Sequence, residues 1–258
     1  MTTANASPFQ LERKLILAVL LILAAASWAL LIWQSAAMNS QAMGMGLTMG
    51  MSAVLFLAIW VVMMIAMMFP TAAPMILMFT SVYAGKRQKS QAFVPTWVFV
   101  SAYLLIWTLF GLVAYPLALL AEKVAGESMW LMSNAPRIGG ALLVAAGLYQ
   151  LSPLKHLCLA KCRTPLQFIL GSWRDGYRGA FRMGFVHGAY CLGCCWFLFV
   201  LLFPLGIMNI AVMALLTALI YAEKSVPLGR QISQIAGVAL MVYGVIVLFM
   251  PAALPTAL

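Results

Sequence analysis

Long apolar segments dominate this chain and restrict it to a membrane fold. Hydrophobic residues make up 65% of its 258 positions and charged residues only 8%, whereas a soluble domain is nearer half apolar and a quarter charged. Each segment is near or above the ~20 residues that a spanning helix needs, except 208–222, which is short. The segments are 15–33, 53–79, 93–120, 136–151, 183–206, 208–222 and 232–250. They predict an all-α, polytopic transmembrane helical bundle of about seven spans.

The basic residues are distributed unevenly between the two sides of this bundle. The net charge is +10, which in a soluble chain would suggest nucleic-acid binding. All Lys and Arg residues except Lys123 and Arg137 fall in the N-terminal segment and the even-numbered loops. Cytoplasmic loops carry such an excess, so the N-terminus is predicted in the cytoplasm and the C-terminus outside. The charge therefore indicates topology in the inner (plasma) membrane, with the lipid bilayer and no nucleic acid as partner.

No stretch of the chain suggests a separate soluble domain. Residues 1–12 are predicted to form a polar tail, and residues 13–258 a single transmembrane helical domain. The first apolar run is longer than the 7–15 residues of a secretory signal, so we expect an uncleaved anchor. The most polar part, 152–182, is predicted to be a basic cytoplasmic loop that contains cysteine and histidine. Its second half forms either an amphipathic helix at the interface or an irregular loop.

Soft metal ligands are concentrated in one short stretch of the fifth segment. Residues 187–195 hold three of the chain's five cysteines and one of its two histidines. Helix positions three, four, seven and eight residues apart share a face, and these ligands have that spacing. A single membrane cysteine is usually a small buried hydrophobe, but thiolate and imidazole together suit copper, zinc or iron. The predicted transition-metal ligands are His187, Cys191, Cys194 and Cys195.

A second group of such ligands lies in the predicted loop, at His156, Cys158 and Cys162. These three residues are too few for a closed metal site. They either share an ion with the inner end of the fifth segment, hold one transiently, or are incidental.

Methionines form the third group of candidate soft ligands. Eleven of the nineteen fall between Met38 and Met78. Methionine usually fills gaps in a core, yet thioethers also select soft ions, above all Cu(I). The second segment carries a methionine cluster before Pro70, where a kink is expected. At 1.5 Å per residue, this cluster and the cysteines fall at similar depth, although contact between the two segments does not follow from the sequence. Copper is therefore favoured over zinc or iron, with methionine ligands at Met63, Met64, Met67 and Met68.

Catalytic chemistry finds little support in the chain. There is no phosphate-binding loop and no nucleophile-elbow motif, and only five acidic residues are present. We therefore expect that the chain is not an enzyme. The adjacent Glu223 and Lys224 are interpreted as an interfacial pair, with a buried functional carboxylate as the alternative.

Two motifs resemble a known family. They are Trp60-x2-Met63-Met64-x2-Met67-Met68-x-Pro70 and His187-Gly188-x2-Cys191-x-Gly193-Cys194-Cys195. They are similar to motifs of the predicted metal-binding integral membrane proteins catalogued as domain of unknown function 2182. The resemblance covers roughly residues 50–230 and implies a membrane fold with metal ligands at the matching positions, without a settled metal or reaction.

Two functions follow from these residues. In the first, the protein transports, buffers or delivers a soft ion such as Cu(I), which it exchanges with a metal-donor or acceptor protein. In the second, Cys191 and Cys194 form a Cys-x-x-Cys pair that carries electrons by thiol–disulfide exchange, with Cys158 and Cys162 as a relay. The second leaves Cys195 and His187 unexplained. A haem- or quinone-handling subunit ranks third, since only two histidines are present.

Overall fold

The chain folds into a bundle of helices, which confirms the predicted all-α class. The computed structural model describes residues 8–38, 47, 48, 50–88 and 94–254, and these contain no strand. The helices are α1 (Pro8–Met38), α2 (Ala53–Gln88), α3 (Thr96–Glu127), α4 (Met129–Leu151), α5 (Pro153–Arg163), α6 (Pro165–Ser172), α7 (Gly176–Val200), α8 (Leu202–Leu205), α9 (Ile210–Ser225) and α10 (Gly229–Phe249).

Five of the described helical segments are long and apolar enough to cross a membrane. They are Gln10–Ala37, Ala53–Gly85, Thr96–Glu127, Gly176–Leu205 and Gly229–Phe249. A sixth span results if α4 and α5, which meet at a 61° bend, cross together. Helix α9 has 16 residues, fewer than the ~20 that a spanning helix needs. The predicted count of seven spans and the orientation of the termini therefore stay predictions.

The segment 152–182, predicted as a loop, is largely helical. Ser152 begins α5, where its side chain accepts a hydrogen bond from a backbone N–H of the first turn, a standard helix start. Thr164 and Pro165 begin α6 as the sequence predicts. The second half is neither one amphipathic helix nor an irregular loop, because Gly176 has a φ of 79°. A right-handed helix cannot continue through that conformation, so α6 and α7 are separate.

Small residues let α7 approach α3 closely. Gly184 and Gly188 lie one turn apart on the face of α7 that meets α3. A Cβ atom on Gly184 would lie 2.2 Å from the carbonyl oxygen of Phe99, and one on Gly188 3.2 Å from that of Tyr103. Such a small-xxx-small spacing is typical of tight contacts between membrane helices. Because residue numbers rise together along the contact, α3 and α7 run parallel.

Helix α2 lies in the core of the bundle and packs on α1, α3 and α9. The indole nitrogen of Trp28 in α1 donates to the carbonyl oxygen of Ala66 at 3.1 Å, and that of Trp60 donates to the carbonyl oxygen of Trp107 in α3 at 2.9 Å. The helix is continuous through Pro70. These two bonds fix α2 between its neighbours.

Candidate metal centre

Four of the five cysteines meet where α5 packs against α7. The three cysteines of α7 and Cys162 of α5 are all buried, free thiols. The Sγ atom of Cys194 lies 3.3 Å from that of Cys195 and 3.9 Å from that of Cys162. Metal–thiolate bonds are about 2.3 Å long, so two sulfurs on one ion are separated by at most about twice that length. The sulfurs of Cys162 and Cys194 already satisfy this limit.

Cys191 is contacted by polar side chains from two other helices. The ammonium of Lys224 in α9 donates to the sulfur of Cys191 at 3.1 Å and lies 3.4 Å from the hydroxyl oxygen of Thr71 in α2. The hydroxyl of Tyr103 in α3 shares a hydrogen bond of 3.1 Å with the same sulfur. Thiolate is the form that binds metal, and the ammonium is placed to compensate its negative charge.

Glu223 and Lys224 do not form the interfacial pair that was expected. Glu223 is buried and accepts hydrogen bonds from Lys155 at 2.7 Å and from Gln150 at 3.0 Å. The main-chain carbonyl oxygen of Gln150 in turn accepts a hydrogen bond from the hydroxyl of Ser233 at 3.2 Å. Adjacent residues on a helix point in different directions, so these two take separate partners. The alternative of a buried carboxylate is therefore the correct one, in a network that joins α4, α5, α9 and α10.

His187 lies one turn before Cys191 inside an aromatic enclosure. It is 3% exposed. Its ring stacks on Phe99 and Tyr103 with centroid distances of 5.9 and 5.6 Å and meets the edge of Phe168 at 5.5 Å. Its Nδ1 has no hydrogen-bond partner among the described residues. Buried polar atoms are normally paired, so this nitrogen is free to take a ligand.

The methionine cluster of α2 lies at the same level of the bundle as the cysteines of α7. The rings of Trp60 and Phe199 are 6.4 Å apart, and Lys224 connects Thr71 to Cys191. Residue numbers run in opposite directions along these contacts, so α2 and α7 are antiparallel. The methionines, at positions between Trp60 and Thr71, therefore lie between the level of Phe199 and the level of Cys191. All four are buried in the same core as the thiols: Met63, Met64, Met67 and Met68.

The remaining candidates are placed less favourably. Cys158 packs against Gly193, where a Cβ atom would lie 2.8 Å from its sulfur. His156 is half-buried, with an Nδ1 that lacks a partner within the described ranges. In the described part of the chain, no three His, Cys, Asp or Glu side chains already surround one point as a metal site would. Met43, Met45 and Met49, which belong to the methionine-rich stretch between Met38 and Met78, lie outside the described residues.

Sequence reasoning missed Lys224, Tyr103 and Thr71 at this centre. Lys224 gave a signal, because an ionisable residue next to an apolar segment is a candidate functional group, but it was interpreted as Glu223's partner. Tyr103 and Thr71 gave none, since both lie on apolar helices far from the cysteines in sequence.

A family of copper chaperones, PpoB2, matches residues 57–247, most of the chain. The chain belongs to the PpoB2 copper chaperone family. The matched range includes both histidines, all five cysteines and the methionine cluster of α2. Membership in PpoB2 confirms the metal-binding character implied by the resemblance and indicates copper, whereas the label of domain of unknown function 2182 stays a prediction. No curated protein and no solved structure matches the chain.

Proposed function

We propose that this PpoB2 protein binds Cu(I) within the membrane and passes it between donor and acceptor proteins. The observation that carries the proposal is the convergence of thiols from α5 and α7, with sulfurs 3.3 and 3.9 Å apart, in a chain of a copper chaperone family. Soft thiolate ligands favour Cu(I) over hard cations. The proposed ligands are Cys162, Cys191, Cys194 and Cys195.

A cluster with more sulfurs than one Cu(I) ion requires suits transfer. The ion can exchange one thiolate ligand for the next while it keeps at least one bond to sulfur throughout. His187, whose Nδ1 has no hydrogen-bond partner in the part of the chain that the structure describes, adds a nitrogen ligand at one end of the cluster. The buried methionines of α2 add neutral, softer ligands along its side.

Lys224 is proposed to balance the charge of the loaded site. Cu(I) held by two thiolates carries a net negative charge, and an uncompensated buried charge is unfavourable by several kcal/mol. The ammonium of Lys224, 3.1 Å from the sulfur of Cys191, makes this unit neutral. A divalent ion on the same two thiolates would leave a positive excess, so the arrangement favours a monovalent ion.

The test is anaerobic Cu(I) titration of purified protein against a chromophoric chelator. Replacing Cys191 and Cys194 together by serine should abolish tight copper binding, because it removes the sulfur nearest Lys224 and the central sulfur of the cluster. Cys158→Ser is the matched control, since this thiol packs against Gly193 outside the cluster. Unchanged copper content in the Cys191→Ser, Cys194→Ser protein would contradict the proposal.

Thiol–disulfide exchange is the second candidate, because Cys194 lies 3.9 Å from Cys162. A disulfide has an S–S length of about 2.05 Å, so a small movement would close one. Thiol trapping in cells separates the two functions. A copper site keeps its thiols reduced during both oxidising and reducing growth, whereas an electron carrier shows a reversible bond among Cys162, Cys191, Cys194 and Cys195.

A further inference from the structure

A small cavity lies at the N-terminal end of α2. Its volume is about 10 Å³, close to the space that one water-sized sphere occupies. It lies further along the bundle than Lys224 and the thiols, because Trp60 in its wall contacts Phe199, which is about one turn beyond Cys195 and two turns beyond Cys191. The lining residues are Met51, Phe56, Ile59, Trp60, Met63, Ile207 and Met208.

Three methionines from separate parts of the chain meet at this cavity. Met63 is in α2, Met51 precedes that helix, and Met208 lies between α8 and α9. Two of their backbones are held by hydrogen bonds: the hydroxyl of Tyr115 donates to the carbonyl oxygen of Met51 at 3.0 Å, and that of Ser35 to the carbonyl oxygen of Met208 at 3.3 Å. Methionine normally closes irregular gaps in a core. Here, three methionines line a gap that stays open.

The side chains around the cavity favour one class of ligand. The polar atom among them, the indole N–H of Trp60, already donates to the carbonyl oxygen of Trp107. The lining side chains therefore offer a water molecule few of the hydrogen bonds that it needs and offer a hard cation no carboxylate. The soft donors among the lining residues are thioether sulfurs, which select Cu(I), and aromatic rings such as those of Phe56 and Trp60 attract cations.

We propose that Met51, Met63 and Met208 form a second Cu(I) site, separate from the thiols, at which the ion is held on its way to or from them. The proposal rests on the proposed function, because it assumes that copper is the ion handled. Neutral thioethers leave the positive charge of the ion uncompensated, so this site binds more weakly than the thiolates and exchanges faster. Met63 is eight residues from Thr71, about 12 Å along α2, and Met64, Met67 and Met68 lie between.

The experiment measures Cu(I) bound to the full chain in detergent, by anaerobic equilibrium dialysis and sulfur-shell X-ray absorption. The starting protein carries serine at Cys162, Cys191, Cys194 and Cys195, so that no thiolate of the cluster remains to bind copper. It should retain a weaker copper equivalent with thioether ligation. Adding Met51→Leu, Met63→Leu and Met208→Leu, which nearly conserve side-chain volume, should lower the affinity for that equivalent by at least about tenfold.

The matched control adds Met183→Leu and Met213→Leu instead, at two buried methionines that do not line the cavity. It should retain the weak site. Two results would overturn the second site alone. In the first, the weakly bound copper remains after the three leucines are introduced at the cavity. In the second, the serine protein binds no copper although the wild type binds the ion tightly. Full copper binding in the serine background would instead overturn the proposed thiol centre. A melting curve of each variant verifies that the fold is intact.

Discussion

At the scale of single residues, Lys224 determines the charge around the thiol cluster. Lys224→Met keeps the length of the side chain but removes the ammonium 3.1 Å from the sulfur of Cys191. We expect the affinity for Cu(I) to fall by about tenfold or more, equivalent to at least ~1.4 kcal/mol. Chelator competition measures this loss. Lys224→Arg keeps the charge and should retain most of the affinity; equal affinities for all three proteins would contradict the role.

Glu223 provides a second prediction, on stability. Glu223→Gln leaves the ammonium of Lys155 buried without a counter-ion, and such an unpaired buried charge lowers the free energy of unfolding by about 3–5 kcal/mol. The thermal midpoint in mild detergent should fall accordingly. Combining Glu223→Gln with Lys155→Met removes both charges and should recover much of the loss. A double variant less stable than Glu223→Gln alone would contradict this account.

The candidate residues were predictable only where the signal is local. Helical spacing is enough to place Cys191, Cys194 and Cys195 on one buried face. No local pattern brings Cys162 to Cys194, because that contact depends on how α5 folds back onto α7. The same reason explains the wrong interpretation of Glu223 and Lys224, whose partners are more than thirty residues away in sequence.

At the scale of helices, the contact between α3 and α7 positions the centre. A Cβ atom on Gly184 would lie 2.2 Å from the carbonyl oxygen of Phe99, so Gly184→Ala must separate the two helices. Overpacking of this kind is unfavourable by about 1–3 kcal/mol. We expect a lower thermal midpoint, with weaker Cu(I) binding because Tyr103 moves away from the sulfur of Cys191.

The control for this prediction is Gly126→Ala, also on a helix. No atom of the described residues lies within 4 Å of a Cβ atom there, so alanine should leave the midpoint unchanged or raise it slightly through its higher helix propensity. If the two alanine variants behave alike, close packing at Gly184 is not what holds α3 and α7 together.

Hydropathy located the helices better than their ends. Most of the apolar segments coincide with a described helix, since burial in lipid requires a helix to satisfy its backbone. The breaks at Ser152, Thr164 and Gly176 depend on capping and on one glycine in a left-handed conformation. A sliding average of hydropathy does not register such features, so 152–182 was assigned to a loop.

At the scale of the whole molecule, the two proposed copper sites lie one after the other along the axis of the bundle. The methionine-lined cavity is at the level of Trp60, and the thiols extend from Cys195 to the level of Thr71. If copper binds as we propose, neutral thioethers at one level and charge-compensated thiolates at the other would provide weak and strong binding in sequence along α2. An ion that enters at the cavity therefore moves towards tighter binding.

The direction of that movement relative to the cell depends on the topology, which gives the last prediction. The side chain of Ser35, near the end of α1, bonds to Met208, and Leu254 and Pro204 both lie beside Gly139. The described C-terminal residues are thus at the end of the bundle where α1 ends, opposite to where it begins. With the basic N-terminal segment in the cytoplasm, the C-terminus and the methionine-lined cavity should face outward.

Reporter fusions at the C-terminus test this orientation. A reporter active only outside the cytoplasm should give signal, and one active only in the cytoplasm should not. The outcome does not depend on whether α9 spans the core, although its 16 residues extend about 24 Å, less than the ~30 Å hydrocarbon core. Helix α9 spans the membrane only if the residues around Lys155 and Arg163 fill the cytoplasmic part of the core that α9 does not reach. A cytoplasmic signal would contradict the predicted orientation, because the fold holds the C-terminal residues at the end of the bundle opposite the start of α1, and the N-terminal segment would then lie outside.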